Sequence, residues 1–344
     1  MWFLKLNSQR KPLISNFASL LLSVLARNIT HTTINAKLPL PAIISMLELN
    51  QIVSGLELWQ WRNASIQSAT ASDIPPMEVD WLLQTITNLD RLALRLENFK
   101  NWDQIPIQLS LTELEQLWQK RLNDRLPVQY IAGMTSWRKF QLTVNQGVLI
   151  PRPETEMLID LAITAADDNM RAGHWADLGT GSGAIAFSIA EVLTNATIHA
   201  VDISSAALTV AQTNAKNLGF GERIQFYHGS WWQPLEFLKG QFSCMISNPP
   251  YIPSDTVLTL QPEVVKHEPH LALDGGADGL DHIRHLITVS PDYLRPGGVW
   301  LVEMMAGQAE TVAELLENHG SYSNISIHAD LAGIERFAVA RKNL

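Results

Sequence analysis

A single cysteine, Cys244, stands in 344 residues, so the chain can form no internal disulfide and no cysteine-based zinc site. A reducing compartment, the cytoplasm, is the expected location. Cys244 lies in the apolar run Phe242-Ser243-Cys244-Met245-Ile246 and reads as inert core. Charge is sparse at 17%, and basic charge sparser: 25 Lys and Arg against 34 Asp and Glu give a net charge of -9. That balance opposes binding by neutralisation of many phosphates, so no stable nucleic-acid binding is expected. The apolar stretch Leu13 to Leu25, about 13 residues, falls short of the roughly 20 that a membrane span takes, and no membrane association is expected. Internal repeats and low-complexity tracts are also missing. What remains is a globular composition, 46% hydrophobic, in a chain long enough for about two domains of roughly 150 residues.

The first 45 residues stand apart. Lys5, Arg10 and Lys11 precede the apolar stretch, and Val24-Leu25-Ala26 resembles a small-residue cleavage site, as in a secretory signal. Pattern, however, begins only near Met46. Residues 1–45 therefore read as an N-terminal extension outside the native protein, with translation starting at Met46, and not as an export address. From Met46 to about Thr70 and from Pro76 to Phe99, apolar residues recur at helical spacing. A third helix opens at Ser110-Leu111-Thr112-Glu113, a capping box, with Leu111, Leu114, Leu117, Trp118 and Leu122 as its stripe. Residues 46–125 are thus expected to form a small all-α domain, its tryptophans packed as core. Residues 126–150 change to period two: Phe140, Leu142 and Val144 alternate with polar residues, and Asn145-Gln146-Gly147 turns the chain into Val148-Leu149-Ile150, a hairpin linker. From 151 to 344 strands and helices alternate. Strands are expected at Trp175–Leu178, Thr197–Val201, Ile224–His228, Phe242–Ser247 and Val299–Glu303, and helices at Ala184–Val192, Ser204–Leu218, His282–Leu294 and Gln308–Glu317. This alternation predicts an α/β domain with a doubly wound, mostly parallel sheet.

Three segments carry chemistry. Asp177-Leu178-Gly179-Thr180-Gly181-Ser182-Gly183-Ala184 joins the first of these strands to an apolar helix, so its glycines let a ligand approach the backbone beside unpaired N–H groups. Its spacing also satisfies the dinucleotide fingerprint, so the loop alone does not separate a dehydrogenase from a methyltransferase. Asp202 closes the second strand, where a carboxylate can accept both ribose hydroxyls; an N-cap to the following helix is the plainer reading. Asn248-Pro249-Pro250-Tyr251 ends the fourth strand. Its prolines force a rigid turn at the carboxyl edge of the sheet. The Asn248 side-chain oxygen and the Pro249 carbonyl offer two acceptors, and Tyr251 an aromatic wall, which suits a planar NH2 group and no hydride-transfer chemistry.

Asn248-Pro249-Pro250-Tyr251 after such a loop resembles the amino-methyltransferases that use S-adenosylmethionine. Pro127-Val128-Gln129-Tyr130-Ile131-Ala132-Gly133 in the hairpin, Leu149 to Glu156 (reading Leu-Ile-Pro-Arg-Pro-Glu-Thr-Glu), and Glu268-Pro269 through Ala272 to Leu280 narrow the resemblance to the release-factor glutamine methyltransferases. It covers about residues 46–344. The resemblance implies a seven-stranded methyltransferase sheet and S-adenosyl-L-methionine as cofactor. It further implies methylation of a glutamine amide in peptide chain release factors, at their Gly-Gly-Gln motif. By motif position it assigns Gly179, Thr180, Gly181, Ser182, Gly183, Asp202, Trp231 and Asn248 to the cofactor, with Trp231 packing on adenine. Asn248, Pro249, Pro250 and Tyr251 become the glutamine-binding turn, and Asn248, Pro249 and Tyr251 the catalytic residues. Two positions depart from the family: Glu303 is followed by Met304-Met305-Ala306-Gly307 where glycine is usual two residues after the glutamate, and Trp137 stands where phenylalanine is usual.

His267, His270, His282 and His285 invite a metal reading, but methyl transfer needs none and no metal is expected. The rival functions are an amino-methyltransferase acting on an exocyclic amine of RNA or DNA, and a non-catalytic nucleotide-sensing module. A monomer is the default oligomeric state.

Overall fold

The computed structural model describes residues 51–344. The expectations for residues 1–45, the start at Met46 and the opening of the first expected helix lie outside the described residues. The described part begins with strand β1 (Gln51–Val53) and not with a continuing helix. Helix α1 (Gly55–Ala71) starts only after Ser54, whose hydroxyl accepts from Glu57 N while Glu57 reaches back to Ser54 N. This is a capping box like the one at Ser110, and it explains why the helix begins there and not at Met46. The single helix expected over Pro76–Phe99 is two: α2 (Met77–Ile86) and α3 (Arg91–Leu96), because Asp90 caps a new start by accepting from Ala93 N. Strand β2 (Ile105–Ile107) pairs antiparallel with β1, and α4 (Leu111–Asp124) follows its Ser110–Glu113 box as expected. Leu114 and Trp118 of α4 are buried against Leu58, Leu82 and Leu94.

The linker differs in its pairing. Val128–Ala132 forms a short helix, α5, ended by Gly133 in the left-handed region (φ 69°). β3 (Met134–Trp137) pairs with β4 (Phe140–Thr143) through the two-residue turn Arg138-Lys139. Phe140–Thr143 therefore pairs backward with Met134–Trp137, and Val148–Ile150 is no strand. Asn145 does bend the chain, accepting from Gly147 N, but it leads Val148 into a small apolar cluster with Val144, Ala207 and Val210. Trp137 is fully buried and donates to Ser188 Oγ at 2.8 Å.

Helix α6 (Glu156–Ala165) precedes the central sheet. Its strands are β5 (His174–Leu178), β6 (Thr197–Asp202), β7 (Ile224–His228), β8 (Phe242–Ser247), β9 (Leu294–Glu303), β10 (Tyr322–Ala329) and β11 (Glu335–Lys342). Seven strands run in the order β10-β11-β9-β8-β5-β6-β7, parallel except that β11 is antiparallel to both neighbours. The β10–β11 pair was not in the strand pattern read from the sequence. Between strands lie α7 (Ala184–Val192), α8 (Ser205–Leu218), the short α9 (Ser254–Val257) and α10 (Pro262–His267), α11 (Asp281–Tyr293) and α12 (Ala309–His319). Alternate residues serve opposite cores: Val299 and Leu301 pack on the α6–α7 side, Trp300 and Val302 on the α11–α12 side. Cys244 is buried, and burial pushes its thiol up, away from reactivity. Among the described residues, no helix is long and apolar enough to cross a membrane.

Candidate active site

β5 has β6 on one side and β8 on the other, so the chain reverses its direction of winding there. Doubly wound sheets bind ligands at such a switch point, beyond the carboxyl ends of the strands. A cavity of about 220 Å³ lies there, lined by Gly179 to Ser182 after β5, Asp202 after β6, Trp231 after β7 and Asn248 and Pro250 after β8.

The loop after β5 turns on glycines, with φ of 78°, 54° and 88° at Gly179, Gly181 and Gly183. A Cβ on Gly181 would meet no atom within 4 Å, whereas one on Gly183 would collide with the Phe187 ring. Gly181 thus leaves open space at the cavity wall, while Gly183 makes the close turn into α7 and does not line the cavity. Asp177, quoted in the motif but given no role from sequence, holds the loop from beneath. Its Oδ2 accepts from Thr180 Oγ1 at 2.6 Å and Ala186 N at 3.1 Å, and its buried Oδ1 has no partner. Burial pushes the Asp177 carboxyl up to about 7, with the two hydrogen bonds opposing. Asn214 of α8 ties the linker to this loop: its Nδ2 donates to Thr143 O and Ser182 O, and its Oδ1 accepts from Thr143 N.

Asp202 Oδ2 accepts from Gly181 N and Oδ1 from Ser204 N, both at 2.8 Å. The N-cap of α8 is Ser204, which accepts from Ala207 N, so Asp202 is no cap. Each carboxylate oxygen keeps a further lone pair for a ligand. Burial raises the Asp202 carboxyl, against the two backbone donors. Trp231 holds a left-handed backbone (φ 49°); its ring lies against Gly179 and 5.3 Å from the His282 ring.

After β8, Asn248 Nδ2 donates to Thr155 Oγ1 at 3.1 Å, and Thr155 itself lines the cavity from the segment Pro153–Thr155 ahead of α6. Tyr251 turns its hydroxyl away from the cavity, to Glu303 Oε1 at 2.9 Å; neither Tyr251 nor Pro249 lines the cavity. The Met304-Met305-Ala306-Gly307 departure is accommodated: Met305 N donates to Gln308 Oε1, and the left-handed turn falls on Gly307 (φ 91°). Gln308 then donates to Tyr251 O, bracing the turn. Thr155, His282 and Glu303 are the pocket and support residues to which sequence reasoning gave no role. The Pro-Arg-Pro-Glu-Thr-Glu segment was the available signal for Thr155. His267 lies within hydrogen-bond reach of Asp124 O and His270 of Val265 O, and among the described residues no group of three His, Cys, Asp or Glu could hold a metal ion.

A mostly parallel sheet whose glycine loop, strand-end carboxylate and Asn248 meet at one cavity defines a cofactor-dependent group-transfer enzyme, and a family model described as "Methyltransferase domain" matches residues 171–334. The release factor glutamine methyltransferase of Synechocystis sp. is 52% identical over 292 residues, covering 84% of this chain and 97% of that one. Its counterpart from Thermosynechococcus vestitus is 44% identical over 283 residues, covering 82% and 96%. The chain belongs to the release factor glutamine methyltransferase family. A solved protein-(glutamine-N5) methyltransferase (release factor-specific) from Alicyclobacillus acidocaldarius is 27% identical and covers 57% of this chain and 95% of that one, with a TM-score of 0.35.

Proposed function

We propose that the protein transfers a methyl group from S-adenosylmethionine to the side-chain amide nitrogen of a glutamine in peptide chain release factors, at the Gly-Gly-Gln motif. The observation that carries this reading is that Asn248 lines the same cavity as the glycine loop and Asp202. The residues fit the cofactor: Gly181 leaves space, Asp202 keeps free lone pairs for ribose hydroxyls, and the Trp231 ring offers a face for adenine. Bound there, S-adenosylmethionine supplies an electrophilic methyl group. An amide nitrogen is a poor nucleophile, its lone pair being shared with the carbonyl. Asn248 Oδ1, at the cavity wall, accepts from the amide NH2, with the Pro249 carbonyl of the adjoining turn as the second acceptor for an amide that reaches the turn from outside the cavity. Together they hold the nitrogen in line and stabilise the positive charge that develops on it until one of its protons is lost to solvent after transfer. Tyr251 and Pro250 shape the turn.

In this reading residues 46–125 recognise the protein substrate, 126–150 link, and 151–344 carry out transfer, in a cytoplasmic monomer without stable nucleic-acid contacts. The net charge of -9 favours a protein over a nucleic-acid substrate. The test is to incubate the protein with labelled cofactor and a release factor, then map the modified residue by mass spectrometry. The expected product is a methylated glutamine amide. Label in RNA or DNA but not in protein would support the nucleic-acid rival, and cofactor binding without turnover the sensing module.

A further inference from the structure

We propose that residues 262–275 form a strap through which the helical domain positions the turn that carries Asn248, with Glu263 and His267 as its positioning residues. This rests on the reading above. A substrate held by residues 46–125 meets Asn248 productively only if that domain is fixed relative to the turn, and a misplacement of about 1 Å can cost on the order of 10²-fold in rate. The strap begins with α10, whose six residues are too few for a helix stable by itself and none of which is buried. Contacts with other elements, and not a core of its own, hold it in place.

Those contacts sit at both ends of α10 and lead to α4 of the helical domain. Arg121 of α4, 4% exposed, binds Glu78 of α2 through two donors, Nε at 2.7 Å and Nη2 at 2.8 Å. Its Nη1 reaches across to Glu263 Oε1 at 2.7 Å. A buried guanidinium stays charged and is costly to leave unpaired, so this contact ties the first turn of α10 to the helical domain. At the other end, His267 Nε2 lies 2.7 Å from the carbonyl of Asp124, the last residue of α4. A carbonyl only accepts, so Nε2 is the donor. The strap then runs into the site. Glu268, 5% exposed, accepts from Arg152 Nη2 at 2.5 Å, just ahead of the Thr155 that holds Asn248. Pro269, Leu271 and Ala272 line the cavity. Leu273 O accepts from Ile252 N at 3.0 Å, and Gly275 N donates to Ile252 O at 2.8 Å, directly after Tyr251. One stretch of chain thus joins α4 to both supports of the reacting turn, Thr155 on one side and Ile252 on the other. Neither Glu263 nor His267 lines the cofactor cavity, so both act only through the strap.

The test uses the full chain, a release factor and labelled S-adenosylmethionine, with kcat, KM and cofactor Kd measured for Glu263→Ala, Glu263→Gln, His267→Ala and the double variant Glu263→Ala/His267→Ala. Glu263→Ala is expected to lower kcat about fivefold to tenfold, and the double variant, which frees both ends of α10, further still. KM for the release factor is expected to stay within about threefold, because the helical domain keeps its own surface. Cofactor Kd is expected to stay within about twofold, because the strap remains fastened at Glu268 and the groups that hold the cofactor are untouched. Glu263→Gln keeps an acceptor for Arg121 Nη1 and is expected to recover most of what Glu263→Ala loses. Turnover by the double variant equal to wild type, a loss of cofactor affinity that matches the loss of kcat, or Glu263→Gln as slow as Glu263→Ala would overturn the strap while leaving the function intact. A wild-type protein that leaves the release factor unmodified would overturn the functional reading, and the role of the strap with it.

Discussion

Between Leu178 and Ala184 the chain turns on three glycines with positive φ, whereas between Ser247 and Ile252 it turns on two prolines whose rings fix φ. Both turns leave neighbouring strands of one sheet and face one cavity, yet they are built differently. The glycine loop presents backbone and empty space, and its shape is kept by groups behind it: Asp177 under Thr180 and Ala186, Asp202 on Gly181, Asn214 on Ser182. The proline turn presents the polarity of one side chain, Asn248, steadied by Thr155, with Tyr251 and Gln308 bracing the backbone beyond it. A loop of backbone donors suits a ligand that is held; a directed acceptor suits the group that reacts. The two loops should therefore fail differently.

The largest expected effect is at the proline turn. Asn248→Ala removes an acceptor proposed to stabilise charge on the reacting nitrogen, so kcat is expected to fall about 10²-fold or more, with cofactor Kd changed only a few-fold. Steady-state kinetics on a release factor and calorimetry with S-adenosylmethionine check both halves. A collapse of cofactor affinity with kcat intact would break the division between the loops.

Next come two glycines of the same loop. Gly183→Ala puts a Cβ into the Phe187 ring at a φ of 88°, and is expected to cost about 1–3 kcal/mol of folding stability in chemical denaturation. Gly181→Ala meets no atom within 4 Å and carries only the strain of its left-handed backbone (φ 54°), about 1 kcal/mol, so it is expected to destabilise less than Gly183→Ala while the cofactor, which uses that space, binds less tightly. Equal destabilisation by both would mean that the loop is one rigid structural turn and not half scaffold, half binding surface.

The same contrast explains what could be read before any coordinates. Glycine loop, Asp202 and Asn-Pro-Pro-Tyr were legible because each is a local pattern with a local cause, and strands β5, β6, β8 and β9 because both of their faces are buried along most of their length. Less legible were features fixed by partners distant in sequence. Phe140–Thr143 carries a good strand pattern, but nothing local says that it pairs backward with Met134–Trp137. Strand β10 forms one edge of the sheet, and after the buried Tyr322 its residues are exposed and then half-buried with no alternation. Thr155 meets Asn248 from 93 residues away and Glu303 meets Tyr251 from 52, so neither contact has a signature in spacing. The first helix is a different case: the Ser54–Glu57 box was there to be read, and the apolar periodicity from Met46 outweighed it.

The smallest expected effect, and the finest test of the glycine loop as a holding device, lies at Asp202. Both oxygens already accept backbone N–H groups, from Gly181 and Ser204, so the carboxylate shapes the loop and faces the cavity at once. Asp202→Asn replaces one acceptor by an NH2 group that must confront an N–H of the loop or of Ser204, and it removes the charge that strengthens hydrogen bonds to ribose hydroxyls. Hydrogen bonds to a charged group contribute about 1.5–3 kcal/mol, and part of this survives in the amide, so cofactor affinity is expected to fall about tenfold with kcat at saturation little changed. The same carboxyl gives the pH dependence its sign. Burial raises its pKa above the usual aspartate value, and only the ionised form offers a full set of acceptors. Affinity is therefore highest above that raised pKa and declines as pH falls through it, whereas Asp202→Asn lacks this component of the decline. Calorimetric titration of S-adenosylmethionine across acid and neutral pH measures the difference between the two curves. Coincident curves would remove Asp202 from cofactor binding and leave it as a brace for the loop alone.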